Sequence, residues 1–375
     1  DTYRDAQGVK TKGSDEDDFQ AAQRLRLQLD AVASESLSGT VYFEIGTTQW
    51  GDADTGGALG ADANNAIRLK RAYIDWAVPQ TDAKVRMGIQ GVALPNVAGG
   101  SAIMDTDVAG ITASYKFNEN VGLTALWARP LNDNYSDKHN GGKQANYLDN
   151  MDLFSLMVPL TFDGVKVTPW VSYAAIGPNA FRNANGYFSN VTGANNAFPT
   201  AGMMALGGAL HKSGAASTKA MGTYGNAVWA GLTGEVTMFD PIRIAWDVNY
   251  GSASYDDSRL NRSGWLASLL AEYKLDWAIP GIYGWYGSGD DSNPANGSER
   301  MPTVDAGWSG SSFGFDGGYG ISSDTILGTS PVGTWGVALR MKDISFMENL
   351  THAIQVGYYR GTNNKNMPPK AEISG

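Results

Sequence analysis

Apolar and polar side chains alternate along most of this sequence with a period of two residues. From Leu25 to Ala31 every odd position is apolar, and every even position is an Arg, Gln or Asp residue. After a short Ser-Glu-Ser turn, the same alternation returns between residues 37 and 45. A period of two is the pattern of a β-strand whose two faces meet different surroundings, whereas a helix requires a period near 3.6. We count about 14 such segments, which predicts an all-β fold.

The connections between these segments alternate in length. Short turns are expected near residues 32–36, 79–83, 118–120, 163–164, 239–241, 276–280 and 343–350. Longer loops rich in Gly, Asn, Asp and Ser are expected near residues 1–18, 47–65, 93–106, 130–150, 176–224, 251–262, 288–333 and after 361. This layout is typical of an outer-membrane barrel, which also carries aromatic residues at its strand ends, as here. We therefore predict one transmembrane antiparallel β-barrel domain over residues 1–375, with short periplasmic turns and long external loops.

Composition excludes several other classes of protein. The sequence has no Cys and three His residues, so thiolate metal sites and His-based catalytic triads are poor candidates. Its net charge of −10 argues against nucleic-acid binding. Only 18% of its residues are charged, against about 25% in soluble domains. We expect neither an enzyme nor a bound cofactor.

A single alternating strand also fits a soluble β-sandwich, whose apolar faces meet each other inside. The uniform hairpins, the alternating loop lengths, the low charge and the lack of amphipathic helices favour the barrel instead. The sandwich remains an alternative, as a surface protein used for adhesion, and it predicts solubility without detergent.

Two stretches carry a family resemblance: FQAAQRLRLQLDAVASESLSGTVYFEIGTTQWG and AIRLKRAYIDWAVPQTDAKVRMGIQGVALPNVAGGSAIMDTDVAG. They resemble the homotrimeric outer-membrane porins of anaerobic sulfate-reducing bacteria. The resemblance implies a trimeric channel in a Gram-negative outer membrane, surrounded by lipid and lipopolysaccharide. It also implies that loop 3 folds into the lumen, where its acidic groups face basic groups on the wall and form a constriction.

The resemblance can be carried onto particular residues. Residues 93–107 are the candidate loop 3, in which Pro95, Asn96, Gly99 and Gly100 resemble the family's Pro-x-x-Gly-Gly turn with one extra residue. Asn96 stands where the family has an acid. The candidate acidic groups of the constriction are Asp105, Asp107 and Glu44, and the candidate basic groups are Arg24, Arg26, Arg68, Lys70, Arg71 and Arg86. The adjacent Lys70 and Arg71 break the alternation and predict a β-bulge.

The expected function is passive diffusion of small hydrophilic solutes and ions through this charged constriction. A substrate-selective channel for sugars or inorganic anions is the alternative, with Tyr42, Trp170 and Trp229 as lumen candidates. The six basic candidates outnumber the four acids Asp105, Asp107, Glu44 and Asp75. Local charge therefore predicts a weak preference for anions despite the acidic composition.

The external loops contain weaker candidates for Ca²⁺ binding. Asp15, Asp17 and Asp18 form an acidic run that is more simply read as a solvated loop, and YGSGDDSN at 286–293 resembles part of a Ca²⁺ loop. The turn positions also imply that both ends of the sequence lie in external loops. We expect one further N-terminal strand and an odd number of further C-terminal strands, for 16–18 strands in the complete protein.

Overall fold

A computed structural model describes residues 2–4, 10–12, 21–60, 67–132, 150–177, 203, 225–255, 258, 261–293, 296–305 and 332–366. These residues form 17 β-strands. The strands are β1 (Thr2–Arg4), β2 (Lys10–Lys12), β3 (Ala22–Ser34), β4 (Leu37–Gln49), β5 (Ile67–Ala77), β6 (Ala83–Ala93), β7 (Asp105–Lys116), β8 (Gly122–Asn132), β9 (Asn150–Met157), β10 (Leu160–Phe162), β11 (Val165–Ile176), β12 (Gly225–Phe239), β13 (Ile242–Ser254), β14 (Arg262–Tyr273), β15 (Ile279–Gly287), β16 (Thr334–Met347) and β17 (Leu350–Gly361). Within these ranges, no helix is long and apolar enough to cross a membrane.

The chain divides into two compact units. The first comprises Asp1–Val32 and Gly39–Ala72, and the second comprises Ala33–Ser38 and Tyr73–Gly375. In the first unit β4 lies between β3 and the beginning of β5, while β1 pairs with β2. In the second unit the strands follow the chain from the end of β5 through β6, β7, β8, β9, β11, β12, β13, β14, β15 and β16 to β17, and β10 pairs with β11. Every strand pair with a defined register is antiparallel, for example β12 with β13 and β13 with β14.

The two faces of the strands differ in polarity and in exposure. In β13, Asp247 is 3% exposed and Asn249 is 6% exposed, whereas the alternating Val248 and Tyr250 are 48% and 50% exposed. The same exposed apolar row continues on β12 through Val228 and on neighbouring strands. We call these the polar face and the apolar face. A soluble fold would bury the apolar face, so this pattern of exposure reverses the usual one.

Loops cover the polar face of the second unit. Leu94, Ile103 and Met104 from the β6–β7 connection, with Met301 from the β15–β16 connection, are at most 1% exposed. They belong to one apolar cluster with Trp229 of β12. The polar face is therefore buried by chain segments that return from the long connections.

The predicted all-β antiparallel architecture is confirmed, because the 14 longer strands match the predicted segments. The differences are one longer strand, two additional short strands and one interrupted strand. β16 continues to Met347, so the last turn contains only Glu348 and Asn349. β1 and β2 fall within the predicted loop 1–18. Pro159 separates β9 from β10, since proline has no N–H to give to a ladder.

Candidate functional site

The connection between β6 and β7 folds back over the polar face. At its base, the Leu94 N–H donates to the Met104 carbonyl at 3.0 Å. Gly99 and Gly100 have φ angles of +121° and +95°, which side chains other than glycine rarely adopt, so they allow the chain to reverse here. Ala98 beside them is 0% exposed. This segment, loop 94–104, contains no charged residue. Its side chains Asn96 and Ser101 make hydrogen bonds within the loop, and its hydrogen bonds to β13 are made by its backbone.

One carboxylate anchors the tip of loop 94–104. Asp247 of β13 accepts the Val97 N–H at 3.0 Å on Oδ1 and the Ala98 N–H at 2.8 Å on Oδ2. The Thr233 hydroxyl of β12 also donates to Asp247. Arg243 also donates a hydrogen bond to the backbone carbonyl oxygen of Val97 in the loop, at 3.4 Å. A buried carboxylate is stable when hydrogen bonds to it replace water, and the loop supplies two of them.

A row of charges crosses six strands of the polar face beside this anchor, from β11 to β16, and five of these strands carry its charged residues. Lys166 Nζ lies 3.0 Å from Glu235, and Arg243 Nε lies 2.9 Å from the other Glu235 oxygen. Arg243 Nη1 also lies 2.9 Å from Glu272. Glu272 in turn accepts from Arg340 at 2.8 Å and from Lys342 at 3.0 Å. We call Lys166, Glu235, Arg243, Glu272, Arg340 and Lys342 the charged row.

A glycine completes the charged row where it crosses β15. Gly281 lies opposite both Glu272 of β14 and Arg340 of β16. A Cβ at this position would lie 3.0 Å from the Glu272 Cγ. The absent side chain therefore leaves the space through which Arg340 reaches Glu272 across an intervening strand.

The connection between β15 and β16 also returns to the polar face. The Trp229 indole N–H donates to the Pro302 carbonyl at 2.8 Å. The Val304 and Asp305 N–H groups donate to the Ile103 carbonyl at 2.9 and 3.0 Å. This segment, loop 296–305, therefore holds the base of loop 94–104. Burial raises the pKa of the Asp305 carboxyl at this junction.

An acidic group lies near the start of the same connection. Asp290, Asp291 and Glu299 each bring a carboxylate oxygen within 4.8 Å of the others. Burial raises the pKa of Asp290 to about 6. The Asn296 amide donates to Asp291 at 3.2 Å and to Glu299 at 3.0 Å. Asp290 and Asp291 belong to the weak Ca²⁺ candidate at 286–293, whereas Asp15, Asp17 and Asp18 lie outside the described residues.

Four of the predicted constriction residues meet in the first unit. Arg26 Nε lies 2.9 Å from Glu44, and Lys70 Nζ lies 3.8 Å from the same carboxylate. The Arg71 guanidinium lies 5.6 Å from the Tyr42 ring. Tyr42 and Glu44 are two residues apart and share a face, so Lys70 and Arg71 both reach it, as the predicted bulge would allow. Arg24 and Arg68 are exposed.

Arg86 is held separately, in the second unit. It donates twice to Asp75, at 2.7 and 2.8 Å, and its guanidinium lies 4.1 Å from the Tyr73 ring. A bidentate ion pair stacked on an aromatic ring fixes the plane of the guanidinium. Arg86 therefore forms a rigid part of the wall.

The structure does not bring Asp105 and Asp107 to the polar face. β7 begins at Asp105, and these two residues alternate with Thr106 and with Val108, which is 6% exposed on the polar face. Their positions follow the same parity as Ile111 on the apolar face. The acid beside loop 94–104 is Asp247, so the wall supplies the carboxylate and the loop supplies the N–H donors. The loop positions Pro95, Asn96, Gly99 and Gly100 lie in the returning segment.

Sequence reasoning missed Asp247, Glu235, Arg243, Glu272 and Arg340 as site residues. The signal was present, because these charges occupy alternate positions on predicted strands opposite apolar residues. What the alternation alone does not contain is the cross-strand register that joins them.

Comparisons with known proteins give a likeness of fold. No family model and no curated protein matches the chain. The structure resembles OmpTdeltaL8, a loop L8 deletion mutant of the Vibrio cholerae outer membrane protein OmpT, with a TM-score of 0.50 and 13% identity over 93% of this chain and 89% of that chain. A BenF-like porin from Pseudomonas fluorescens gives 0.48 and 9% over 91% and 75%. Salmonella typhi OmpF in complex with daunomycin gives 0.43 and 11% over 93% of both chains. At 13% identity, the likeness to the Vibrio protein establishes the fold alone.

Proposed function

We propose that this protein is an outer-membrane diffusion channel for small hydrophilic solutes and ions. The observation that carries the proposal is loop 94–104, which lies against a charged polar face while the opposite face exposes large apolar side chains. In a transmembrane barrel the apolar face contacts lipid and the polar face lines the lumen. Loop 94–104 narrows that lumen beside the charged row.

The site suits filtering rather than chemistry. In the charged row Lys166, Arg243, Arg340 and Lys342 are matched by the carboxylates of Glu235 and Glu272, so each carboxylate is shared between cations. Such fixed charges beside a narrow passage discriminate among solutes by size and charge. The proposed channel requires no cofactor and performs no catalytic step.

A location in the outer membrane of a Gram-negative bacterium is part of the proposal, as is assembly into a homotrimer in contact with lipopolysaccharide. The location is supported by the exposed apolar rows and by the fold shared with an outer membrane protein of Vibrio cholerae. Two parts of the proposal rest on the sequence resemblance: assembly into a trimer, and similarity to the porins of sulfate-reducing bacteria.

A substrate-selective channel is the second candidate function, and one observation favours it. The Trp170 indole N–H is buried and has no hydrogen-bond acceptor among the described residues. A solute oxygen in the lumen would satisfy this donor, and a buried donor without an acceptor is costly. Saturable flux of one solute class would distinguish selection from passive diffusion.

Reconstitution in planar lipid bilayers tests the proposal. Detergent-purified protein should insert and produce stepwise conductance, with steps grouped in threes if the channel is a trimer. Conductance steps that occur singly would contradict the trimer but would still support the channel. Protein that is soluble and monomeric without detergent and that conducts no current would contradict the channel and support the β-sandwich instead.

A further inference from the structure

An open groove follows β6 along the polar face of the second unit. Its upper part has a volume of about 330 Å³ and is lined by residues that include Arg86, Gln90 and Thr112. Its lower part has a volume of about 430 Å³ and reaches the turn at Asn118. Lys84, Ser114 and Thr124 line both parts, so the groove is continuous at these residues. Its lining extends from Ala83 to Ala93, a rise of about 35 Å for an extended strand.

The three shared residues form one cross-strand row. Lys84 of β6 lies opposite Ser114 of β7, and Ser114 lies opposite Thr124 of β8. Directly opposed side chains on one face of an antiparallel pair have Cβ atoms about 5 Å apart. An ammonium group and two hydroxyls are therefore presented side by side to the same stretch of the groove.

Lys84 is the cation of this row, and it forms no ion pair with another described residue. Within the described part of the chain, no carboxylate oxygen lies within 4.0 Å of its Nζ. The nearby Arg86 is already engaged by both oxygens of Asp75. In the upper part of the groove Lys84, Arg86 and Asp75 are the charged lining residues, so this part carries one excess positive charge. The lower part adds one cation, Lys116, and two acids, Asp82 and Glu119, so the excess is local to the upper part.

We propose that Lys84, Ser114 and Thr124 form a binding seat for a small oxyanion, such as a carboxylate or sulfate group, on the path of permeating solutes. The ammonium group and the two hydroxyls donate hydrogen bonds to the anion's oxygens, and charge-assisted bonds of this kind are the stronger ones. The seat deepens the channel function proposed above and rests on it. Charge and oxygen geometry together would favour oxyanions over chloride.

The test combines equilibrium binding with conductance. Sodium acetate and sodium sulfate are titrated into detergent-purified protein by calorimetry, and each is added during single-channel recording in potassium chloride. We expect both probes to bind and to reduce the current saturably. Lys84→Met should weaken binding about tenfold or more, because it removes the charge, whereas Ser114→Ala and Thr124→Val should each weaken it about two- to tenfold. The relative affinities for acetate and sulfate show whether the seat prefers a carboxylate or a sulfate group.

Lys274→Met is the matched control, because it removes a lysine just beyond the end of β14 that lines neither part of the groove. It should bind both probes within twofold of the wild type. Equal losses in Lys84→Met and Lys274→Met would overturn the seat in favour of general electrostatic attraction. If Lys84→Met does not fold, the Ser114→Ala and Thr124→Val double variant decides the question. A wild type that conducts but binds neither probe would overturn the seat alone, whereas absence of conductance would count against the channel.

Discussion

At the scale of single residues, one carboxylate anchors the tip of loop 94–104. Asp247 receives two adjacent backbone N–H groups from the loop, and each of its oxygens takes one of them. The loop has no charged side chain of its own with which to hold the wall. The position of the proposed constriction therefore depends on a residue about 150 positions away in the chain.

Replacing Asp247 with Asn should loosen the loop. The amide retains one acceptor oxygen, but its NH₂ group is a donor and cannot accept the other loop N–H. The loop therefore loses a hydrogen bond to a charged group, which contributes about 1.5–3 kcal/mol. The detached population should rise roughly 10- to 100-fold. Hydrogen exchange at the Val97 and Ala98 amides measures this change, and current noise should increase with it. Thr233→Val removes a hydroxyl that donates to Asp247 but does not contact the loop, so it should have a smaller effect. Equal effects of the two variants would contradict the role of Asp247 as the anchor.

Gly281 provides a second test at this scale. A side chain there would meet Glu272, with Cβ to Cγ at 3.0 Å, and would separate it from Arg340. Gly281→Val should lower the free energy of unfolding by about 1–3 kcal/mol through overpacking. Gly284→Ala on the same strand is the control, because its Cβ would have no neighbour closer than 3.7 Å. Urea unfolding in detergent measures both variants, and equal stabilities would argue against the role of Gly281.

At the scale of elements, the alternation predicts the strands, whereas the inward fold of residues 93–107 is expected only from the family resemblance and the return of loop 296–305 is not predicted. Each strand is specified by its own alternation, which reports two unlike environments. The contact between loop 94–104 and Asp247 is long-range and involves backbone N–H groups, which carry no sequence signature. The expectation that Asp105 and Asp107 would lie on the polar face failed for a different reason. Asp105 and Asp107 share the parity of Ile111, but this becomes informative only when β7 is known to begin at Asp105.

The β15–β16 connection should be more stable at mildly acidic pH. Burial, with repulsion from Glu299, raises the pKa of Asp290 to about 6 from an ordinary value of 3.8. Between these values the folded connection binds a proton that the unfolded chain does not, so its stability rises as the pH falls through 6 and is lost as the pH rises.

Hydrogen exchange checks this sign. After correction for intrinsic rates, the Val304 and Asp305 amides should be better protected at pH 5 than at pH 7.5. Asp290→Asn should reduce the pH dependence of this protection, because that buried group is then always neutral; a residual dependence in the same direction is expected from Asp305, whose pKa burial also raises. Better protection of the wild type at pH 7.5 would show that the ionised Asp290 is the favoured form.

At the scale of the whole molecule, the structure changes the inventory of charges behind the expected ion preference. Asp105 and Asp107 leave the polar face, whereas the second unit adds the four cations of the charged row, Lys166, Arg243, Arg340 and Lys342. Against these stand three carboxylates, Glu235, Glu272 and the buried Asp247. Local charge should govern permeation, since charges beyond about 8 Å are largely screened at physiological salt. The prediction of weak anion preference therefore stays, although the protein has a net charge of −10.

Reversal potentials in asymmetric potassium chloride measure this preference. The wild type should favour chloride weakly, and the Arg24→Ala and Arg26→Ala double variant should shift the reversal potential toward cations. Removing Arg26 also removes the cation 2.9 Å from the Glu44 carboxylate and leaves it the more distant Lys70 at 3.8 Å, which adds to the shift. A wild type that is clearly cation-selective would contradict the charge assignment.

The central claim is that loop 94–104 lies in the path of conducted ions, and site-directed thiol modification tests it directly. The protein has no cysteine, so a bulky thiol reagent reacts only where a cysteine is introduced. Single-channel conductance should fall when the reagent is added to Asn96→Cys and should stay unchanged for the wild type and for Asp163→Cys, which lies at an exposed turn. A modified Asn96→Cys channel with unaltered conductance would contradict the claim.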